Sequence, residues 1–378
     1  MIQKQAKTKS KRLQSLDAYR GLVMLILVSS GFGIIQASKQ PGGEFLEPYV
    51  FYVSHPQWIS QFNLFGVSPW DMIQPAFMFM VGVSMPFSYS KRAKRGDSYF
   101  RRFIHAWWRA ILLVLLCIFL RSNGKEQTNW TFIDVVGQIG LGYGFLFFMV
   151  GRKFITQVIV GVIVLAATIV AFYQFAPGPD PWAFNENVFA EWNRWFLNLF
   201  PRPKPFVNNP GGYSTFNFIP SFVTMLLGVM CGQLLNNKTI TSWNKVLRLL
   251  VGGAVCLGLG LLLSETGTVP IIKKIWTPSW VLFSGAYVIW GLMVFYLIID
   301  VIGIRFWAFP LVVVGLNPLT IYSMEHLIRG WTIKLFHTHL PDAWFEGWEG
   351  QIIQYTMVAA FFWLILFWMY RRKFFIRL

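Results

Sequence analysis

Residues 154–175 read FITQVIVGVIVLAATIVAFYQF, twenty-two positions without a charged side chain. A helix needs about 20 apolar residues to cross the hydrocarbon core of a bilayer. A helix on the surface of a soluble domain is apolar on one stripe only, so a run apolar on every face belongs in lipid or deep in a core. Similar runs recur at about 18–37, 68–90, 103–121, 132–150, 218–235, 246–264, 279–301, 307–328 and 351–370. Only 13% of the chain is charged, against about 25% in soluble domains. The pattern predicts an all-α integral membrane protein with about ten transmembrane helices. It also predicts a single transmembrane domain over 1–378, with 1–14 as a basic tail and 176–217 as a long extracytoplasmic segment.

The formal net charge is +17. In a soluble protein this would suggest nucleic acid, but here the Lys and Arg residues lie in short loops, as the positive-inside rule requires. With both termini cytoplasmic, inner segments hold 22 of the 33 cations and outer segments hold 10. Arg20 falls within the first span. The densest inner run is KRAKRGDSYFRR at 91–102, and Gly151-Arg152-Lys153 makes a tight inner turn. Cys117, Cys231 and Cys256 sit in apolar runs, as packing residues and not as a disulfide framework. No cleavable signal peptide is expected at the N-terminus. No internal repeat of the transporter kind is visible.

Few residues in such a chain can do chemistry. His55 stands in a Trp- and Pro-rich outer loop, and Asp71 follows where the second apolar run begins. Asp71 admits two readings. Ser68-Pro69-Trp70-Asp71 is a plausible helix start, with Ser as N-cap and an acid in the first turn. Alternatively the carboxylate holds the His55 imidazole in one tautomer and raises its basicity. Asp17 and Arg20 likewise read either as the paired start of the first span, capped by Ser15, or as functional groups. Of the other histidines, His105 adjoins the basic inner loop, and His337 and His339 lie in an outer loop. No convergent third ligand joins that pair, so no metal is expected.

An ordered set of motifs runs along the chain. RLQSLDAYRGLVMLILV at 12–28 is followed by His55-Pro56-Gln57-Trp58, Gly66, Trp70-Asp71 and Pro75-x-Phe77-x-Phe79-x-x-Gly82. Ala106-Trp107-Trp108-Arg109, Asn209-Pro210-Gly211-Gly212 and Ile219-Pro220-Ser221 come next. Trp276-Thr277-Pro278-Ser279-Trp280, Gly315-Leu316-Asn317-Pro318 and a basic tail close the set. The set resembles the heparan-α-glucosaminide N-acetyltransferase family and its bacterial relatives. The chain departs from that pattern at Ser29-Ser30-Gly31, at Gln138 and at Asn209.

The resemblance implies a multi-pass acetyltransferase of a cytoplasmic (inner) membrane, of bacterial type. It would take the acetyl group of cytoplasmic acetyl-CoA and deliver it to an amino sugar or other glycan on the far side. The family's catalytic histidine falls on His55 and its supporting acid on Asp71. Arg109, Arg101, Arg102, Arg20 and Asn317 are then expected to hold the CoA, and Trp58, Trp70 and Asn217 the acceptor. Acetyl-CoA is the expected co-substrate, with no metal and no nucleic acid, and the pattern leaves room for a homodimer. Two other readings stay open. One is a transporter or flippase using intramembrane Asp134, Asp300 and Glu325. The other is an O-acyltransferase acting on a polysaccharide or cell-wall sugar.

Overall fold

The computed structural model describes residues 13–55, 58 and 68–376. The basic residues Lys4, Lys7, Lys9, Lys11 and Arg12, together with Pro56, Gln57, Gly66 and Arg377, lie outside that range. The described residues form helices and connecting turns, with no strand among them. In chain order the helices are α1 (Gln14–Ser29), α2 (Ile34–Ala37), α3 (Glu47–Val53), α4 (Pro69–Lys94), α5 (Tyr99–Ser122), α6 (Val135–Phe147), α7 (Phe154–Gln174) and α8 (Val188–Leu197). They continue as α9 (Phe218–Asn236), α10 (Ser242–Glu265), α11 (Pro278–Phe295), α12 (Phe309–Gly315), α13 (Pro318–Leu327), α14 (Arg329–His339) and α15 (Gly347–Arg371).

Seven helical stretches are long and apolar enough to cross a bilayer: Gln14–Ala37, α5, α7, Thr215–Asn236, α10, Pro278–Ile302 and α15. An eighth is counted if Phe306–Gly315 and Pro318–Leu327, bent by 64°, form one span. The chain is therefore a multi-pass membrane protein. The expected spans 68–90 and 132–150 correspond to α4 and α6. α4 has 26 residues but carries Asp71, Gln74 and two prolines, Pro75 and Pro86. α6 has 13 residues, about 20 Å of helix, shorter than the roughly 30 Å hydrocarbon core.

Glycines set the closest packing. A Cβ on Gly82 would lie 2.0 Å from the Met225 carbonyl oxygen, and one on Gly228 would lie 2.1 Å from that of Phe79. α4 and α9 thus touch backbone to backbone, the small-residue packing common between membrane helices. The same close approach joins α1 to α12, where a Cβ on Gly315 would lie 1.8 Å from the Asp17 carbonyl. The core between these pairs is filled by Phe77, Phe79, Met80, Met225, Trp276, Trp280 and Phe283.

Segments expected as loops carry short helices. α3 lies within 38–66, α8 within 176–217 and α14 within 329–340. Of these, α8 buries Val188, Phe189 and Leu197, and the Asn187 side chain caps it by accepting from the Ala190 N–H. Ser15 does not cap α1. That helix begins at Gln14, and the Ser15 N–H donates to Asp300 Oδ2 at 3.2 Å. Asp300 thus supplies the anion that favours a helix start. Gly151, at φ +82°, makes the expected tight turn between α6 and α7.

Candidate active site

Ser68 Oγ accepts from the Trp70 N–H at 3.2 Å and caps α4, with Pro69 at its first position. The cap is therefore supplied without Asp71. The Asp71 carboxylate is fully buried and turns to two other groups. Oδ1 lies 3.2 Å from His55 Nδ1 and 2.7 Å from Lys273 Nζ. Lys273 Nζ in turn lies 3.0 Å from His55 Nδ1, so the three atoms close a triangle. Asp71 Oδ2 is buried and has no hydrogen-bond partner among the described residues. The His55 side chain is 50% exposed, so the ring edge away from the triangle, which carries Nε2, is accessible.

Sequence reasoning missed Lys273, which it counted only as one outer cation. The fold delivers it from far along the chain. The segment after α10 ends in a turn closed by the Trp276 N–H donating to the Lys273 carbonyl at 3.0 Å. Thr277 Oγ1 takes the Ile272 N–H at 3.0 Å, and Trp276 Nε1 donates to Thr224 Oγ1 at 3.2 Å. Trp276 holds φ +54° although it is not glycine, a conformation costing on the order of 1–3 kcal/mol that persists where the surroundings over-determine it. Val269, Ile272 and Ile275 pack with Phe172, Trp182 and Phe189 in a cluster that roofs this turn. Burial pushes the Lys273 ammonium below the usual lysine range; Asp71 opposes that shift and Lys274 adds to it.

Several residues brace the same site. Asn217 is 4% exposed, and its Nδ2 donates to the Lys274 carbonyl at 2.8 Å. It therefore holds the lysine-bearing turn. Asn209 Oδ1 accepts from the N–H groups of Gly211 at 2.8 Å and Tyr213 at 3.3 Å. This turn sets Tyr213 near Asp71; burial, and then the Asp71 charge, push its phenol up to about 12. Gln138 Nε2 donates to the carbonyls of Phe132, Ser214 and Thr215. Two of the three departures from the family pattern, Gln138 and Asn209, thus tie down the 209–217 segment. Trp70 lies 6.3 Å from the His55 ring. Trp58 donates to the Trp182 carbonyl at 2.8 Å and packs on Phe184, which places it in the aromatic roof.

The basic residues gather at the other end of α4. Arg92 contacts His105 Nε2, and Arg102 lies over the Tyr89 ring at 4.4 Å. With Tyr143 and Phe147 they line a cavity of about 20 Å³. Phe147 is also a wall of a neighbouring cleft of about 250 Å³, lined by Tyr99, Phe148, Val150, Gly151 and Arg152. Arg109 Nη1 donates to the Tyr143 hydroxyl at 3.2 Å, while its Nε is buried with no partner among the described residues. Arg101 points away: it is 78% exposed and pairs with Asp97 at 3.5 Å. From Asp71 to Arg92 is twenty-one residues of one helix, a rise of about 32 Å.

Arg20 and Asn317 lie away from this cleft. Arg20 bonds the Gly315 carbonyl at 3.2 Å and Ser84 Oγ, and sits 3.7 Å from Asp17. Asn317, at the bend between α12 and α13, donates to the Phe374 carbonyl and accepts from the Ile376 N–H. Its amide thus fastens the C-terminal segment. The three acids of the transporter reading each have a partner: Asp134 pairs with Arg121, Glu325 with Arg329, and Asp300 accepts from the start of α1. Among the described residues no three His, Cys, Asp or Glu side chains converge as metal ligands.

No family model matches this chain. It is similar to the heparan-α-glucosaminide N-acetyltransferase of Homo sapiens, 22% identical over an alignment of 447 positions, gaps included, that covers 96% of this chain and 59% of the human protein. It is also similar to that of Mus musculus, 20% identical over 448 such positions covering 98% of this chain and 61% of the mouse protein. The chain spans about three fifths of the length of these curated relatives.

Proposed function

Proceeding from a family-level relationship to heparan-α-glucosaminide N-acetyltransferase, supported by matches over nearly the whole chain, we propose that this multi-pass protein is a transmembrane acyltransferase that uses acetyl-CoA. The acceptor in this reading is an amino sugar or related glycan on the side of His55. Acetyl-CoA enters from the side of Arg92, Arg102 and Arg109, with both termini on that cytoplasmic face of the cell's inner membrane. α4 and α6 complete ten membrane passages.

The observation that carries the reading is His55 itself: a half-exposed imidazole whose Nδ1 is held 3.2 Å from the buried Asp71 carboxylate. Such a ring offers Nε2 to a substrate. As a general base it takes a proton from the acceptor amine as nitrogen attacks the thioester carbonyl. The carbon–sulfur bond then breaks and CoA leaves as its thiolate. As a nucleophile the same Nε2 carries the acetyl group briefly before the acceptor takes it. The cationic end of α4 suits the CoA phosphates, because guanidinium–phosphate bonds are charge-assisted and often bidentate. Arg109, whose buried Nε has no partner among the described residues, has bonding capacity to spare.

The test is thiol release from acetyl-CoA by purified protein, screened against amino sugars and polysaccharides, with His55→Ala as the control. Acceptor-dependent thiol release that vanishes in His55→Ala is the expected result. Thiol release that continues over many turnovers with no acceptor present, or release that survives His55→Ala, would overturn the assignment.

A further inference from the structure

We propose that Lys273 and His55 share one proton, so that Lys273 decides which imidazole nitrogen is free to react. The arrangement is a property of the resting protein; its use in turnover rests on the acyl-transfer reading above.

The argument starts from Nδ1. That atom presents either an N–H or a lone pair, never both. It lies 3.2 Å from Asp71 Oδ1, which could only accept, and 3.0 Å from Lys273 Nζ, which as an ammonium could only donate. The two neighbours make opposite demands. Asp71 Oδ1 already receives Lys273 at the shorter distance of 2.7 Å, so its charge is matched. An ammonium has three protons and can serve Asp71 and Nδ1 together. While Lys273 is charged, Nδ1 therefore accepts, and the neutral ring keeps its proton on Nε2. The accessible nitrogen then has no lone pair and can neither take a proton nor attack a thioester.

Loss of one proton reverses this. With Lys273 as a neutral amine, Nδ1 carries the ring proton toward Asp71 and Nε2 is bare. The chemical step then balances within the triangle. Nε2 takes the acceptor's proton, the Nδ1 proton passes to the Lys273 amine, and a neutral ring faces a renewed ammonium–carboxylate pair. No charge stays on the half-exposed ring. The charged or titratable groups facing this exchange are Asp71 from α4, His55, Lys274 on the same turn and Tyr213 from the 209–217 segment. Burial favours the neutral amine, and Lys274 acts in the same sense. Proton loss therefore falls nearer neutrality than for a lysine in water.

The simpler alternative is that Lys273 only neutralises Asp71 and the ring keeps Nδ1–H at every pH. Nitrogen-15 spectra of histidine-labelled, full-length protein in detergent separate the two, with the His55 signals assigned by their loss in His55→Ala. The expected result is an Nε2-protonated ring at neutral pH that converts to the Nδ1-protonated form as pH rises. In Lys273→Met the ring should be Nδ1-protonated at neutral pH as well. An Nδ1-protonated ring in wild-type protein at neutral pH, unchanged on raising the pH, would overturn the proposal. If Lys273→Met fails to fold, the wild-type titration decides by itself. Neither spectrum needs acetyl transfer, so an absence of activity would count against the function while leaving this test intact.

Discussion

Lys273 and Asp71, 202 positions apart in the chain, meet 2.7 Å from each other with both side chains buried. Removing one member of such a pair leaves an uncompensated buried charge, which typically costs about 3–5 kcal/mol. Asp71→Asn is therefore expected to lower both stability and acetyl-transfer rate, the rate by on the order of 100-fold. The double variant Asp71→Asn/Lys273→Met should regain most of the melting temperature but not the rate. Full rate in Asp71→Asn would reduce Asp71 to a structural partner of Lys273.

His55→Ala separates chemistry from folding in the other direction. The ring is half exposed, so its loss should leave the melting temperature near that of the wild type while acetyl transfer disappears. A large drop in stability would show that the ring serves packing.

The buried lysine also fixes a sign for stability against pH. Unfolded lysine keeps its proton up to about pH 10.4, whereas burial makes the folded state release it earlier. Between those two values the unfolded chain binds more protons, so stability rises with pH through that window. Below the folded value both states are protonated and the contribution is flat. The difference in melting temperature between wild type and Lys273→Met, followed from neutral pH to about pH 10, should show this rise. A difference that falls over the range would contradict the burial argument.

Arg109→Ala should weaken acetyl-CoA binding by about tenfold or more, because a charge-assisted hydrogen bond contributes roughly 1.5–3 kcal/mol. Arg248→Ala, an exposed cation on α10, is the control and should bind CoA as the wild type does. Equal affinity in all three proteins would move the donor site away from the α4–α5 cleft.

Packing at Gly315 is testable without any ligand. Alanine there would drive Cβ to 1.8 Å from the Asp17 carbonyl oxygen, so α1 and α12 must separate. A loss of about 1–3 kcal/mol or more is expected. Gly252→Ala, where a Cβ meets nothing within 4 Å, should be neutral or slightly stabilising in thermal unfolding.

What could be read in the sequence was what is local or periodic. Apolar runs located the long helices, because in lipid each helix satisfies its own backbone. His55 and Asp71 were legible as a pair because only sixteen residues separate them. Lys273 was not, since nothing in a loop lysine's neighbours tells that a distant roof of Phe172, Trp182 and Phe189 will bury it. Asn317 was expected to hold the CoA from its place in a Gly-Leu-Asn-Pro break; that its amide bonds the backbone at Phe374 and Ile376, 57 and 59 positions on, is a contact the local sequence does not announce. Asp300 replaced Ser15 at the start of α1 by the same long-range logic. Short helices in the connecting segments were missed because a helix of seven to eleven residues is marginal by its own propensity, and one such as α8 depends on the surface it packs against.

The glycine seam between α4 and α9 bears on what is free to move. Backbones in contact at Gly82, Gly228 and Gly232 leave no side-chain layer to slide on, so the two helices behave as one beam. His55 is tethered at one end of that beam through Asp71, and Arg92 leaves from the other. The separation between them is therefore a fixed dimension of the molecule. In the acyl-transfer reading proposed above, a two-carbon cargo crossing from one end to the other would have to be carried by something flexible, such as the long arm of a CoA donor, or by displacement of the walls opposite.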